Sequence, residues 1–150
     1  MKKFLFISLI FILSNCGGYE PVFSGKEINF YIEEIENIKN DKISNQIIRR
    51  LKPYTIKTDK TNIKLKIESS IEDRIVSKDA KGNPVVFELI IKVKIKIYSN
   101  IKQKNLDYIE SFSFNNQSNK FELSQYKKSI EKNLINTIFE KFIFNLKSNL

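Results

Sequence analysis

The sequence contains no histidine, no tryptophan and only one cysteine among its 150 residues. Without histidine it lacks the commonest general base and the commonest metal ligand. One cysteine can form neither an intramolecular disulfide nor a paired-cysteine metal site. Catalysis would be left to carboxylates, yet adjacent ones such as Glu33–Glu34 and Glu72–Asp73 point to opposite faces of a strand. We therefore expect a binding protein rather than an enzyme, with no catalytic residue, no metal and no bound cofactor.

What the chain does contain is basic charge and apolar side chains. Lysine and arginine number 26 against 17 acidic residues, which gives a formal charge of +9, and 41% of the residues are hydrophobic. That apolar fraction is enough to build a packed core, so composition argues against disorder. The length is that of one domain.

The first residues have the pattern of an export signal. Two lysines after Met1 precede an apolar run from Phe4 to Leu13, which is too short to span a bilayer. The following Leu13-Ser14-Asn15-Cys16 resembles a bacterial lipobox, although Asn15 stands where a smaller residue is usual. This predicts a signal peptide over 1–15, lipid attachment at Cys16, a tether over 16–26 and a folded domain over 27–150. The mature chain would keep 24 positive against 17 negative residues, or +7.

Hydrophobic periodicity then divides the domain into six elements. Alternating apolar residues predict strands at 27–35, 63–75, 85–97 and 106–114. Helical spacing predicts a short helix from Asp41 to Leu51, capped by Asn40 or Asp41 and ended by Pro53, and a long helix from Ser124 to Leu146. The order β-α-β-β-β-α predicts an α+β two-layer sandwich, in which two helices pack on one face of a four-stranded mixed sheet.

The register of the central hairpin can be predicted from charge. If the numbers of paired residues sum to 162, Arg74 lies opposite Glu88 and Glu68 lies opposite Lys94. A sum of 160 would instead place Glu72 opposite Glu88. Unlike cross-strand pairs contribute roughly 0.2 to 1 kcal/mol and like pairs cost a similar amount, so we predict the sum of 162.

The layout resembles that of the lipopolysaccharide-assembly lipoprotein family, LptE. The resemblance lies in the opening Cys16-Gly17-Gly18-Tyr19-Glu20-Pro21, in the helix Asn45-Gln46-Ile47-Ile48-Arg49-Arg50-Leu51, and in two long strands joined by a Lys/Asp/Gly turn. Gly18 departs from the family's usual Cys-Gly-aromatic spacing. The resemblance implies a lipid-anchored protein on the periplasmic leaflet of the outer membrane. It would sit inside the LptD β-barrel, assist its assembly and help to deliver lipopolysaccharide to the cell surface.

Five lysines form the main candidate binding site, because they alternate in phase on the two long strands and should project from the face opposite the helices. They are Lys64, Lys66, Lys92, Lys94 and Lys96. Such a basic patch would suit lipopolysaccharide phosphates or an acidic wall inside a barrel partner. The alternative is an ordinary solvated face in a lysine-rich chain.

The hairpin turn carries two further candidates, Lys78 and Lys81. An exposed loop on a rigid hairpin is a common contact point for a partner, but a solvated turn is again the alternative.

Two other classes of function share some of these features. A sequence pI near 9.5 would suit nucleic acid, but an exported, lipid-anchored protein meets little of it, so we expect no nucleic-acid partner. The stronger alternative is a different small envelope lipoprotein, such as a binding module or a pilotin, with another partner.

Overall fold

The computed structural model describes residues 29–100 and 102–149. Four strands and two α-helices follow in the predicted order: β1 (Phe30–Asn37), α1 (Lys42–Leu51), β2 (Thr61–Lys78), β3 (Pro84–Ser99), β4 (Gln103–Asn115) and α2 (Lys120–Asn149). A 3-10 helix, Lys52–Thr55, follows α1. The predicted α+β fold is confirmed. The signal peptide, Cys16 and the tether over 16–26 lie outside the described residues.

The sheet has the order β1-β2-β3-β4. β1 pairs with β2 in parallel, and the other two pairs are antiparallel. The β2–β3 register places Arg74 opposite Glu88 and Glu68 opposite Lys94, so the predicted sum of 162 is correct. Arg74 and Glu88 form an ion pair with Nη2 and Oε2 2.6 Å apart.

Helix α1 begins where Asp41 caps it and ends one residue before the 3-10 turn that contains Pro53. The Asp41 carboxylate accepts a 2.8 Å hydrogen bond from the backbone N–H of Ser44, which satisfies one of the free donors of the first turn. It also accepts from the Ser69 hydroxyl in the middle of β2. The start of α1 is thereby fixed against the sheet.

One face of the sheet and both helices share a single core. Its fully buried members include Ile32 of β1, Ile47 and Leu51 of α1, Ile95 of β3 and Phe142 of α2. The predicted inward residues of α2 all contribute to it, with Phe139 partly buried at its margin. This face is called the helix face below, and the opposite one is called the open face.

The two helices, which were expected to pack on one face of the sheet, do not cover the helix face along its whole length. Ile71 and Ile75 of β2 are each 47% exposed, and Val85 of β3 is 42% exposed. Helix α1 has only ten residues, about 15 Å, and its start is held at Ser69. Helix α2 packs mainly over β3 and β4. The half of β2 next to the hairpin turn is therefore covered little by either helix.

A β-bulge in β1 is a second feature that strand alternation did not predict. The β1–β2 register shifts between Ile32 and Glu34, so that Ile32 lies opposite Ile63 and Glu34 lies opposite Lys64. An extra residue in one strand exchanges the two faces beyond it. As a result Glu34 and Glu36 point to the open face, while Ile35 packs against the core.

Candidate binding surfaces

The five candidate lysines of the sheet share the open face, as expected; four of them are exposed and Lys66 is partly exposed. The same face carries acidic residues in alternation with them. Its cations are Lys64, Lys66, Arg74, Lys92, Lys94 and Lys96, and its carboxylates are Glu34, Glu36, Glu68, Glu72, Glu88 and Asp107. The open face therefore carries interspersed positive and negative charges in equal number and is not a uniformly basic patch.

Two of the lysines are paired with the glutamates that the β1 bulge redirects. Lys64 Nζ lies 3.1 Å from Glu34 Oε2, and Lys66 Nζ lies 2.8 Å from Glu36 Oε2. The hydrogen bond from Lys64 to Glu34 raises the pKa of Lys64, and the equivalent bond to Glu36 raises that of Lys66. Both ammonium groups thus stay charged well into the alkaline range. Strand alternation alone did not reveal these partners, because the bulge had to be known first.

Two more lysines are paired across the hairpin. Lys92 Nζ lies 3.4 Å from Glu72, and Lys94 Nζ lies 4.0 Å from Glu68. Lys94 also has Asp107 beside it in the register with β4. Exposed pairs of this kind contribute roughly 0 to 1 kcal/mol each, so their main effect is on the pattern of surface charge.

Lys96 differs from the other four lysines. It stands opposite Lys66 on β2 and Asn105 on β4, and among the described residues no carboxylate lies within 4.0 Å of its ammonium group. Next to it, Tyr98 helps to line a shallow cleft with the two Glu–Lys pairs of the β1 side. Among the five candidate lysines of the open face, Lys96 is therefore the ammonium group most available to an external anion.

The two turn lysines lie at the tip of a well-ordered hairpin, and both are exposed. Asp79 organises the turn: its Oδ1 accepts 2.8 Å hydrogen bonds from the backbone N–H groups of Lys81 and Asn83. Gly82 takes a φ of +84°, which favours glycine. The hydrogen bonds from Asn83 lower the pKa of Asp79. The turn consequently presents Lys78 and Lys81 on a fixed scaffold.

Beside this tip lies an apolar patch at the turn end of the two long strands. It consists of Ile71, Ile75, Val76 and Val85, all between 42% and 53% exposed. We call these four residues the hairpin patch. Half-exposed branched side chains that continue a core outward are typical of protein-binding surfaces.

Among the described residues, the buried polar side chains Ser44 and Ser69 form one small cluster with Asp41. The Ser44 hydroxyl donates a 2.7 Å hydrogen bond to Asp41, and its oxygen lies 3.0 Å from the hydroxyl oxygen of Ser69. Both serines are buried. Among residues 29–100 and 102–149, no group of three potential metal ligands occurs, and no helix is both long and apolar enough to span a membrane.

No protein-family model matches the sequence, and no curated protein does either. Solved structures do share the fold. The rare lipoprotein B of Shewanella oneidensis matches with a TM-score of 0.61 at 13% identity, covering 79% of this chain and 94% of that one. A lipoprotein B of Nitrosomonas europaea matches with a TM-score of 0.52 at 16% identity, covering 89% and 94%.

A minor lipoprotein of Acinetobacter baumannii matches with a TM-score of 0.52 at 14% identity, covering 81% of this chain and 94% of that one. At these identities the likeness concerns the fold. The resemblance to the LptE type, of which rare lipoprotein B is a member, is confirmed at that level.

Proposed function

We propose that this chain is an outer-membrane lipoprotein that binds and plugs an LptD-type β-barrel and assists lipopolysaccharide transport and assembly. One observation carries the proposal: the chain has the fold of solved lipoprotein B structures over 94% of their length. The lipobox at Cys16 supports it independently. In this proposal a lipid on Cys16 holds the protein on the periplasmic leaflet. A lipidated protein with more than one acyl chain stays stably bound to the membrane.

The hairpin patch is the surface we assign to the barrel partner. It combines exposed apolar side chains with the ordered turn of Asp79 and Gly82. Because these side chains are about half exposed, burying the rest of each one contributes roughly 0.7 to 1.5 kcal/mol, half of the value for full burial, which is more than a typical exposed ion pair contributes. Such a patch can therefore supply most of the affinity, while Lys78 and Lys81 at the tip add attraction to acidic groups.

The open face is the surface we assign to lipopolysaccharide or to an acidic barrel wall. Its lysines are held in fixed rows by Glu34, Glu36, Glu68 and Glu72. A phosphate arriving at Lys96 meets a cation without a competing carboxylate, whereas at the other four it must displace one. We therefore place first contact with an anion at Lys96.

Site-specific photo-crosslinking tests the assignment of the hairpin patch. A photoreactive residue at Ile75 or Val85 should capture the barrel in intact cells. The same probe at Ile56, which is 69% exposed at the opposite end of the sheet, is the matched control. Capture of the barrel from the hairpin positions alone supports the proposal.

Capture of an envelope protein other than a barrel would favour the alternative, namely a binding module or pilotin with a different partner. Equal capture of the barrel from Ile56 would mean that the hairpin patch has no special part in the contact.

A further inference from the structure

The two edges of the sheet differ in how well they are protected against pairing with another strand. β1 is eight residues long, contains the bulge, and carries the exposed carboxylates of Glu33, Glu34 and Glu36. Bulges and charges of this kind prevent edge-to-edge association. β4 is thirteen residues long, pairs with β3 in unbroken register and contains no proline. Within the described residues it has a strand partner on one side only.

β4 also exposes apolar side chains on both of its faces. Ile109 on the open face is 64% exposed, and Phe112 on the helix face is 46% exposed. Between these two residues, the carboxylate of Glu110 forms an ion pair with Lys141 of α2. This edge is therefore both open and apolar at its centre.

The backbone hydrogen bonds identify which residues of β4 offer free groups. Ser99 N–H donates to Lys102 O at one end of the β3–β4 ladder, and Asn116 N–H donates to Val85 O at the other. Hydrogen-bonded pairs alternate along an antiparallel ladder, so the even-numbered residues of β4 bond to β3. The odd-numbered residues direct their N–H and C=O groups outward, with Ile109 in the middle of the row.

We propose that the outer edge of β4 is the docking site for a second copy of this chain, which pairs with it in antiparallel register centred on Ile109. This inference goes beyond the proposed function and does not depend on it. In a two-fold symmetric pair of strands, the residue on the axis lies opposite its own copy, so the numbers of any two paired residues add up to twice its number. With Ile109 on the axis, that sum is 218. Ile109 then meets its own copy, and Asp107 meets Ser111.

Charge and apolar complementarity select this register. In it, the half-exposed Phe112 faces Leu106 of the second copy, and no like charges are opposed. Centring on Asp107 or on Glu110 would set a carboxylate against itself, which destabilises a cross-strand pair. Centring on Tyr108 would place the exposed Ile109 against Asp107 and the exposed Phe112 against Lys104. Of these four arrangements, only the Ile109-centred one sets both Ile109 and Phe112 against apolar partners.

Disulfide capture in cells tests the proposal. Residues in a hydrogen-bonded antiparallel pair have Cα atoms about 5.5 Å apart, within the range that a disulfide spans. Ile109→Cys should therefore form a covalent dimer on a non-reducing gel. Ser111→Cys is the matched control, because it lies on the same strand and face but about 13 Å from its own copy in this register. We expect about tenfold more dimer from the first variant.

The double variant Asp107→Cys/Ser111→Cys fixes the register, since each new cysteine should pair with the other one in the second copy. Adding Ile109→Lys to it should lower the yield of dimer, because lysine at an edge discourages pairing. The protein with Cys16 alone gives the background. Equal dimer yields from Ile109→Cys and Ser111→Cys would overturn the proposal. So would capture of a different protein by Ile109→Cys, which would assign the edge to another partner.

Discussion

At the scale of single residues, Asp41 joins the start of α1 to the middle of β2. Burial raises the pKa of its carboxyl, but the hydrogen bonds from the Ser44 N–H and from the Ser69 and Ser44 hydroxyls outweigh this, so the pKa lies below its usual 3.8. A carboxylate whose pKa is lowered by folding stabilises the protein above the unfolded pKa, and this contribution is lost as the pH falls through the folded value.

Asp41→Ala should lower the free energy of unfolding at pH 7 by about 1 to 3 kcal/mol. It removes a helix cap and leaves the buried Ser44 and Ser69 hydroxyls short of an acceptor. Urea denaturation at pH 7 and at pH 3 measures the effect, which should be smaller at pH 3. Asp59→Ala, at an exposed position, is the control and should change stability by less than about 0.5 kcal/mol. An Asp41 effect that does not change with pH would contradict this role for the carboxylate.

Adjacent residues on β3 have opposite roles. Ile95 is 1% exposed on the helix face, whereas Lys94 is exposed on the open face. Ile95→Asp would bury a charge with no partner, at a cost of several kcal/mol, so we expect the protein to be depleted in cells. Lys94→Gln should leave its level and thermal stability near those of the wild type. Immunoblots and thermal melts measure both; a stable Ile95→Asp protein would contradict the assignment of the core.

At the scale of elements, the rows of lysines along the strands of the open face predict how the protein binds anions. Replacing Lys64, Lys66, Lys92, Lys94 and Lys96 together by glutamine leaves the carboxylates of the open face without these partners. Binding to purified lipopolysaccharide should then weaken by roughly tenfold or more. Replacing Lys120, Lys127, Lys128, Lys132 and Lys141 of α2 in the same way removes equal charge from the helices. Equal losses of lipopolysaccharide affinity in the two variants would mean that binding depends only on the net charge of the protein.

Much of the element structure could be predicted from the sequence, because β2, β3 and α2 carry long, unambiguous periodic patterns. The hairpin register followed from cross-strand charge pairs such as Arg74–Glu88, which the structure bears out. Asp41 was correctly among the predicted caps. These features depend on neighbours in sequence or on directly opposed residues.

The remaining features depend on contacts that periodicity does not encode. The bulge at Glu33 reverses the faces of β1, and the only sequence signal is that Ile35 falls out of phase with Phe30 and Ile32. The pairing of Lys64 and Lys66 with glutamates follows from that bulge. The exposure of Ile71 and Ile75 depends on where α1 is held and on the path of α2, neither of which strand alternation can supply.

At the scale of the whole molecule, the proposal separates the lipid anchor from the binding domain. Cys16 lies well before β1, which begins at Phe30. Cys16→Ala should therefore release the protein from the membrane fraction into the periplasm without reducing the stability of the domain. Membrane fractionation together with labelled fatty acid measures this. Unchanged membrane partition with no label in the wild-type protein would contradict lipidation.

The central claim is that the protein acts by stoichiometric binding to a β-barrel. The most direct measurement is purification of the full-length lipoprotein from outer membranes under mild detergent, with the mass of every co-purifying chain determined. A large outer-membrane β-barrel in a one-to-one ratio is the expected result, and Ile75→Asp on the hairpin patch should lower its recovery while Ile56→Asp should not. Recovery of the lipoprotein without any barrel would contradict the account.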